Sequence, residues 1–403
     1  MINCIKNSVK RFSLLLLFVF ISYGQALFAQ QSKRLNQDWE FYKNDLGGVW
    51  EAMRPAKEGS SESVPLWTKV NLPHSFNAED AVDPDQNYYQ GPGWYRTSLN
   101  IDNPYKNGRI LLHFEGSGQK TSVYVYNTKV GEHVGGYDEW TVDITDAVAA
   151  FKKEKAYTDQ YNNKIPLAIR CDNSRDLEMI PSDLSDFNVY GGIYRYLNLV
   201  YTPQVSIDKI FALAETDVKG KQGTLKITGR LYNPTGVDTA VVKVVVKDPN
   251  GKQVYTANKQ MKAFYGDKEL WNITINKPIL WSTDAPNLYT VEVSISAKGQ
   301  TYSHVEKIGF RHFEFVKKGP FMLNGKRLLL RGTHRHEDHA GVAAAMTEDM
   351  MRTEIQMMKD IVFVDKCTKV IWLNVKFVNN GFILIVLDIL IIVIKRRKEK
   401  EKE

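Results

Sequence analysis

The chain has 403 residues, 43% of them hydrophobic and 25% charged, a balance that excludes fibrous and disordered classes and leaves room for two or three domains with cores of their own. Its net charge of +7 sits at the two ends: Lys6, Lys10 and Arg11 contribute at the start, six bases against three acids contribute over 395–403, and the body is left near neutral. That excludes the concentrated basic face of a nucleic-acid-binding protein.

In chain order, residues 1–29 read as a secretory signal: three bases, an apolar run over 12–21, and small residues before a break at Ala29, with Ala26 as the other cleavage point. Export to the periplasm or the cell exterior is expected. The run is too short to span a bilayer and is apolar all round rather than striped. Cys4 leaves with the signal, and Cys171 and Cys367 lie far apart, so no disulfide framework is implied.

Residues 30–201 carry short runs rich in aromatic and β-branched residues (WYRTSLNI, RILLHFEG, TSVYVYN, WTVDI, IPLAIR) separated by Gly, Asn and Asp clusters, the spacing of an all-β sandwich. In TSVYVYN, Val123 and Val125 alternate with Tyr124 and Tyr126, so one face meets a core. Trp94, Tyr95 and Tyr194 admit two roles, sugar stacking or core packing, and core packing is the expectation. A second set of strands occupies 202–313, with a DPNGK turn over 248–252, and predicts a smaller β-sandwich of immunoglobulin-like size.

From 314 to 361 the pattern changes to an LNGK turn, an apolar strand RLLLRG, a polar loop and a helix from Thr347. Thr347 is placed to cap it, Glu348 and Asp349 suit its positive end, and Met351, Ile355 and Met358 form an apolar stripe. One strand and one helix make a β/α unit that leaves the strand's faces uncovered, so proteolysis is expected to trim the chain back to near Phe315. Over 362–403 the composition shifts to Val, Ile, Phe, Lys and Asn without turn chemistry. The apolar run 382–394 is shorter than the ~20 residues of a membrane-spanning helix and contains Asp388. A C-terminal membrane anchor remains an alternative there.

Six strings taken together resemble glycoside hydrolase family two, the β-galactosidase and β-glucuronidase family: VNLPHSFN (70–77), GPGWYR (91–96), DFNVYGGIYRYLNLV (186–200), LWSTDAPNLY (280–289), IGFRHFEF (308–315) and LNGKRLLLRGTHRHEDH (323–339). The resemblance implies a mainly β chain: a jelly-roll sugar-binding domain, an immunoglobulin-like sandwich, and the first β/α unit of an incomplete TIM barrel. It also implies a carbohydrate partner of β-galactoside or β-glucuronide type, no cofactor, and two sugar contacts. Asp186, nine places before Arg195, matches the aspartate with which the sugar-binding domain reaches the active site; a loop Asp capping a turn is the plain alternative. His336, in THRHED, matches the histidine that ends the first barrel strand, the end where such barrels keep their active sites.

Arg331 and Arg335 are expected to pair with acids beneath that loop. His334, His336, Glu337, Asp338 and His339 match no zinc-site spacing, so no metal is assigned. Retaining glycoside hydrolysis needs two carboxylates about 5 to 5.5 Å apart, whereas Glu337 and Asp338, adjacent in an extended segment, point to opposite faces. In the family both catalytic glutamates come from later barrel strands, and the family pattern stops near Ile361, as a frameshift or gene fragment would produce. The expectation is a chain without hydrolytic activity. A non-catalytic carbohydrate-binding protein and a membrane-tethered structural protein are the alternatives.

Overall fold

The computed structural model describes residues 31–54, 67–180, 188–264, 266–332, 335–362, 368–373 and 389–394. Among these, no helix is long and apolar enough to cross a membrane. The signal-like residues 1–29, the Asp388 run up to 388 and Asp186 lie outside the described residues.

The first compact unit contains residues 32–201 together with 281–286 and the chain from Arg311 onward. Its strands are β1 (Gln31–Arg34), β2 (Trp39–Lys43), β3 (Thr68–Val70), β4 (His74–Ser75), β5 (Pro92–Leu99), β6 (Arg109–Phe114), β7 (Lys120–Val125), β8 (Thr128–Val134), β9 (Trp140–Asp143), β10 (Ile165–Asp172), β11 (Gly192–Ile193) and β12 (Leu197–Thr202). They form a six-stranded sheet in the order β3-β2-β5-β10-β7-β8, a four-stranded sheet β1-β12-β6-β9, and the small pair β11-β4. This is the expected jelly roll.

Strand β10 shows why the sandwich holds. Leu167, Ile169 and Cys171 face the main core with Phe41, Tyr95, Val123 and Leu197, while Ala168 on the other face packs with Trp94 against Ala52 and Met53 of the helix Val49–Met53. A strand covered on both sides reads as a continuous apolar run rather than an alternating one, and IPLAIRC is such a run. Each large side chain buried there contributes about 1.5–3 kcal/mol. On β7, Thr121, Val123 and Val125 are buried and their neighbours are not, matching the expected alternation. Trp94, Tyr95 and Tyr194 are core residues, 2%, 0% and 5% exposed. Burial pushes the thiol of Cys171 up to about 12.

The second unit, Thr202–Leu280 with Asn287–Phe310, pairs β13 (Ser206–Thr216), β14 (Gln222–Tyr232) and β17 (Gly266–Asn276) in one sheet. Its other sheet has the order β16-β15-β18-β19, built from β15 (Thr239–Lys247), β16 (Gln253–Lys262), β18 (Tyr289–Ala297) and β19 (Gln300–Ile308). Val242, Val244 and Val246 of β15 lie opposite Ile295, Val293 and Val291 of β18 and share one core with them. The DPNGK turn forms as expected: Asp248 accepts at Oδ1 from the amides of Asn250 and Lys252.

Back in the first unit, β20 (Phe313–Phe315), β21 (Phe321–Leu323) and β22 (Lys326–Arg327) make a small antiparallel sheet. Its hairpin turns at Asn324 and Gly325, both at positive φ, the backbone that Asn-Gly adopts readily. RLLLRG does not form one continuous strand. Regular structure is confined to Lys326–Arg327 and to β23 (Arg331–Gly332), and Leu329 and Leu330 between them are exposed. A barrel strand is held by parallel neighbours on both sides; β23 instead pairs antiparallel with β25 (Ile389–Ile394), beside β24 (Thr368–Leu373). The helix Glu348–Val362 starts as expected, with Thr347 Oγ1 accepting from the amide of Met350 at 3.3 Å, and Met351, Ile355 and Met358 on its less exposed face.

Candidate functional site

The site is organised by the segment after β10. At the end of that strand Asn173, fully buried, donates from Nδ2 to Asn77 Oδ1 and to the carbonyls of Tyr89 and Val189, and accepts at Oδ1 from the amide of Gly91. Asn77 in turn donates to Asp80 and accepts from the amide of Gly191. One side chain thereby fixes three loops at one edge of the sandwich.

Gly191 and Gly192 follow because nothing larger fits. A Cβ on Gly191 would lie 2.0 Å from Phe76 Cζ, and one on Gly192, whose φ is +127°, would lie 2.4 Å from the carbonyl oxygen of His74. The close approach lets β11 pair with β4, Ile193 opposite His74. His74 is half-buried beside Tyr95, with Nδ1 and the phenol oxygen 2.8 Å apart. Burial, with a smaller contribution from the charge of Lys43, lowers its pKa from 6.5 to about 4. Because the folded value lies below the unfolded one, the stability associated with neutral His74 is complete above pH 6.5 and declines as pH falls toward 4. Thermal melts across that window should show a loss approaching about 3 kcal/mol. The loss should flatten in His74→Gln; an unchanged slope in that variant would rule out His74 as its source.

Tyr194 and Arg195 turn this edge into a bracket for the polar loop beyond β23. The Tyr194 hydroxyl donates to the carbonyl of Gly136 at 2.7 Å. Arg195 donates from Nη1 to the carbonyls of Tyr194 and Ala344, and from Nη2 to Glu337 Oε2 at 3.2 Å. Tyr190 donates to Asp338 Oδ2 at 2.8 Å, the Tyr196 hydroxyl accepts from the amide of Glu348 at 3.0 Å, and Ala344 and Ala345 bury themselves against Tyr194. Burial, reinforced by the Asp338 carboxylate, pushes the Tyr190 phenol up to about 12, so it remains a donor.

From the far side, Arg335 pairs with Glu337 and, through Nε at 2.9 Å and Nη2 at 2.6 Å, with Glu354 of the helix; His339 Nδ1 lies 2.8 Å from the same carboxylate. Burial opposes the Arg335 charge, but the two carboxylates outweigh it and raise its pKa.

His336 lies between these clamps. Arg335 and Glu337 on either side of it are both committed to ion pairs, and His336 itself is exposed. Anchoring the residues on both sides of it limits where His336 can go. The neighbouring acids Glu337 and Asp338 do take different partners, Glu337 the two arginines and Asp338 Tyr190. Arg335 pairs with acids as expected. His334 lies outside the described residues. Sequence reasoning missed Asn173 and Tyr190. The only signals for them were an amide ending an apolar strand and a tyrosine directly before two glycines.

Three family models of glycosyl hydrolases family 2 match in order: its sugar binding domain over 24–203, the central family 2 domain over 205–311, and its TIM barrel domain over 315–364. The chain belongs to glycosyl hydrolase family 2. The part of the barrel that is matched is short, and no closed barrel occurs among the described residues. A crystal structure of a β-glucuronidase from Parabacteroides merdae is similar at a TM-score of 0.78 and 59% identity, over 82% of this chain and 43% of that one. A β-glucuronidase of Bacteroides fragilis is 28% identical over 88% of this chain and 48% of its own length. A β-galactosidase of Thermoanaerobacter pseudethanolicus is 28% identical over 80% of this chain and 41% of its own. The chain therefore spans less than half the length of each of these relatives.

Proposed function

We propose that this chain supplies the sugar-binding rim of a β-glucuronidase-type active site, and that by itself it binds glucuronides without hydrolysing them. The observation that carries this reading is the bracket of Arg195 on Glu337 and Ala344 with Tyr190 on Asp338, which seats the His336 loop on the jelly roll. In this reading Asp186 and His336 contact sugar hydroxyls, a task suited to a carboxylate acceptor and an imidazole. Glucuronide is favoured over galactoside by the 59% identity to the Parabacteroides merdae enzyme. The lack of hydrolysis is read from the carboxylates of the loop and the helix behind it: Glu337, Asp338 and Glu354 are each held by Arg195, Arg335, Tyr190 or His339, and among these described carboxylates no pair is offered across a glycosidic bond. The character of residues 1–29 supports export as the protein's destination.

The test uses the purified chain with nitrophenyl β-glucuronide and β-galactoside, and an NMR titration with glucuronic acid. We expect no nitrophenol above the blank, and saturable binding weakened about tenfold by His336→Ala, the loss of one good hydrogen bond to a charged or polar group. Turnover would refute the non-hydrolytic part. Tighter binding of galactose than of glucuronate would refute the sugar assignment.

A further inference from the structure

Toward the end of the jelly roll away from Asn173 and Gly191, residues of both sheets and of the helix Val49–Met53 line a groove of about 880 Å³, within the ~300–1,000 Å³ typical of small-molecule sites. Register fixes its place: the groove is lined near Leu99, which pairs with Ile165, whereas the Asn173 end of the same strands begins at Pro92 opposite Asp172. On β5 the nearest lining residue, Arg96, stands four positions from Pro92, roughly 14 Å along the strand.

The lining has three kinds of surface. The floor is apolar, formed by Leu35, Leu99, Leu167 and Leu199, whose side chains close the core beneath. Above it stand the amides of Asn36, Gln37, Asn100 and Gln160, groups that both donate and accept as sugar hydroxyls do. Around the rim are five cations, Lys33, Arg34, Arg54, Arg96 and Lys164, against two acids, Asp38 and Glu40. Arg96 is committed to Glu40 at 2.7 Å and Arg34 is shared with Glu348 at 3.8 Å. Lys33 and Lys164 are exposed and have no carboxylate among the ion pairs of the described residues.

We propose that this groove is a second binding site, for an oligosaccharide bearing uronate groups, with the amides meeting hydroxyls and Lys33 and Lys164 meeting carboxylates. The choice of uronate rests on the glucuronide reading above as well as on the excess of positive charge. A groove of this kind would hold a polymer chain while another part of it reaches the His336 loop.

The experiment titrates the full chain calorimetrically with a tetrasaccharide of alternating glucuronate and N-acetylglucosamine, and with its neutral, carboxyl-reduced counterpart. The protein variants are Lys33→Glu/Lys164→Glu and, separately, His336→Ala. We expect the charge reversal to weaken binding of the acidic tetrasaccharide about tenfold or more, with a marked salt dependence, and His336→Ala to leave a groove-bound fraction intact. Both lysines are exposed, so their replacement leaves the fold unchanged, which circular dichroism verifies. Equal affinity of the reversed variant and wild type overturns the proposal, as does equal binding of the neutral tetrasaccharide or no binding at all. Binding abolished by His336→Ala but untouched by the lysine changes overturns the groove while supporting the glucuronide site. Loss confined to the lysine variant does the reverse.

Discussion

Replacing Asn173 with alanine should lower the melting temperature of the jelly roll by roughly 10 °C. The side chain holds Asn77, the carbonyls of Tyr89 and Val189, and the amide of Gly91 in a space closed to water. Truncation leaves several buried polar groups without partners at about 1–3 kcal/mol each, less than additively, for a total of about 3–5 kcal/mol. Asn173→Asp is the sharper test because the shape is preserved. Its carboxylate would face three acceptors with no donor to offer, so the aspartate should be at least as harmful as alanine at pH 7. Its pKa should be raised, and the variant should regain stability as acid protonates it, opposite in sign to the His74 effect of the parent. Differential scanning calorimetry at pH 5 and pH 7 measures both. An aspartate variant as stable as the parent at pH 7 would show that the amide donors are not what holds these loops.

The second large effect is local. Arg195→Ala should release residues 335–354 from the jelly roll while the sandwich stays folded. The guanidinium bridges the carbonyl of Ala344 and the carboxylate of Glu337 while resting on its own backbone at Tyr194. Its removal leaves Glu337 held only by Arg335 and strips a partner from the Ala344 carbonyl, for about 2–4 kcal/mol of docking energy. Hydrogen exchange in the 335–358 peptide should then accelerate on the order of 100-fold, with little change in peptides from β10 or β12. Arg195→Lys should restore only part of the protection, because an ammonium lacks the planar fork that reaches two acceptors at fixed angles. Unchanged exchange in the alanine variant would place the docking energy in Ala344 and Ala345 instead.

This docking also modifies the expectation that proteases would trim the chain back to near Phe315. An unpartnered β/α unit would be open to attack, but Tyr190, Arg195 and Tyr196 hold its loop and the start of its helix. Cleavage is instead directed to exposed sequence such as Phe315 and Val316, or to Leu329 and Leu330, and the segment beyond can stay attached after a cut.

The strands were legible where local rules decide them. Val123 and Val125 alternate, DPNGK and LNGK carry their turn chemistry within a few residues, and Thr347 caps the helix that follows it. RLLLRG was misleading as a single strand because its conformation depends on neighbours distant in sequence, and an apolar run states only that it seeks cover. Asp186 and His336 became candidates through family resemblance. The bracket was not legible by either route: Tyr190 and Asp338 are 148 positions apart and Arg195 and Glu337 are 142 apart, and nothing local to a tyrosine or an arginine names a partner at that distance. Arg195 was recognised only as part of a motif, and its hydrogen bonds give that motif a physical reason.

The same separation sets an order of events during synthesis. Strand β12 completes the jelly roll, and the ribosome must add the 134 positions from Tyr201 to Arg335 before the polar loop exists, roughly 7–27 s at ~5–20 residues per second. A β-sandwich of this size folds in milliseconds to seconds. Tyr190, Tyr194 and Arg195 are therefore in place well before the loop emerges, and the first turn of barrel chain meets a finished template. A defect in that template, such as a lost Asn173, would be felt first as a delay in shaping sequence that is synthesised more than a hundred residues later.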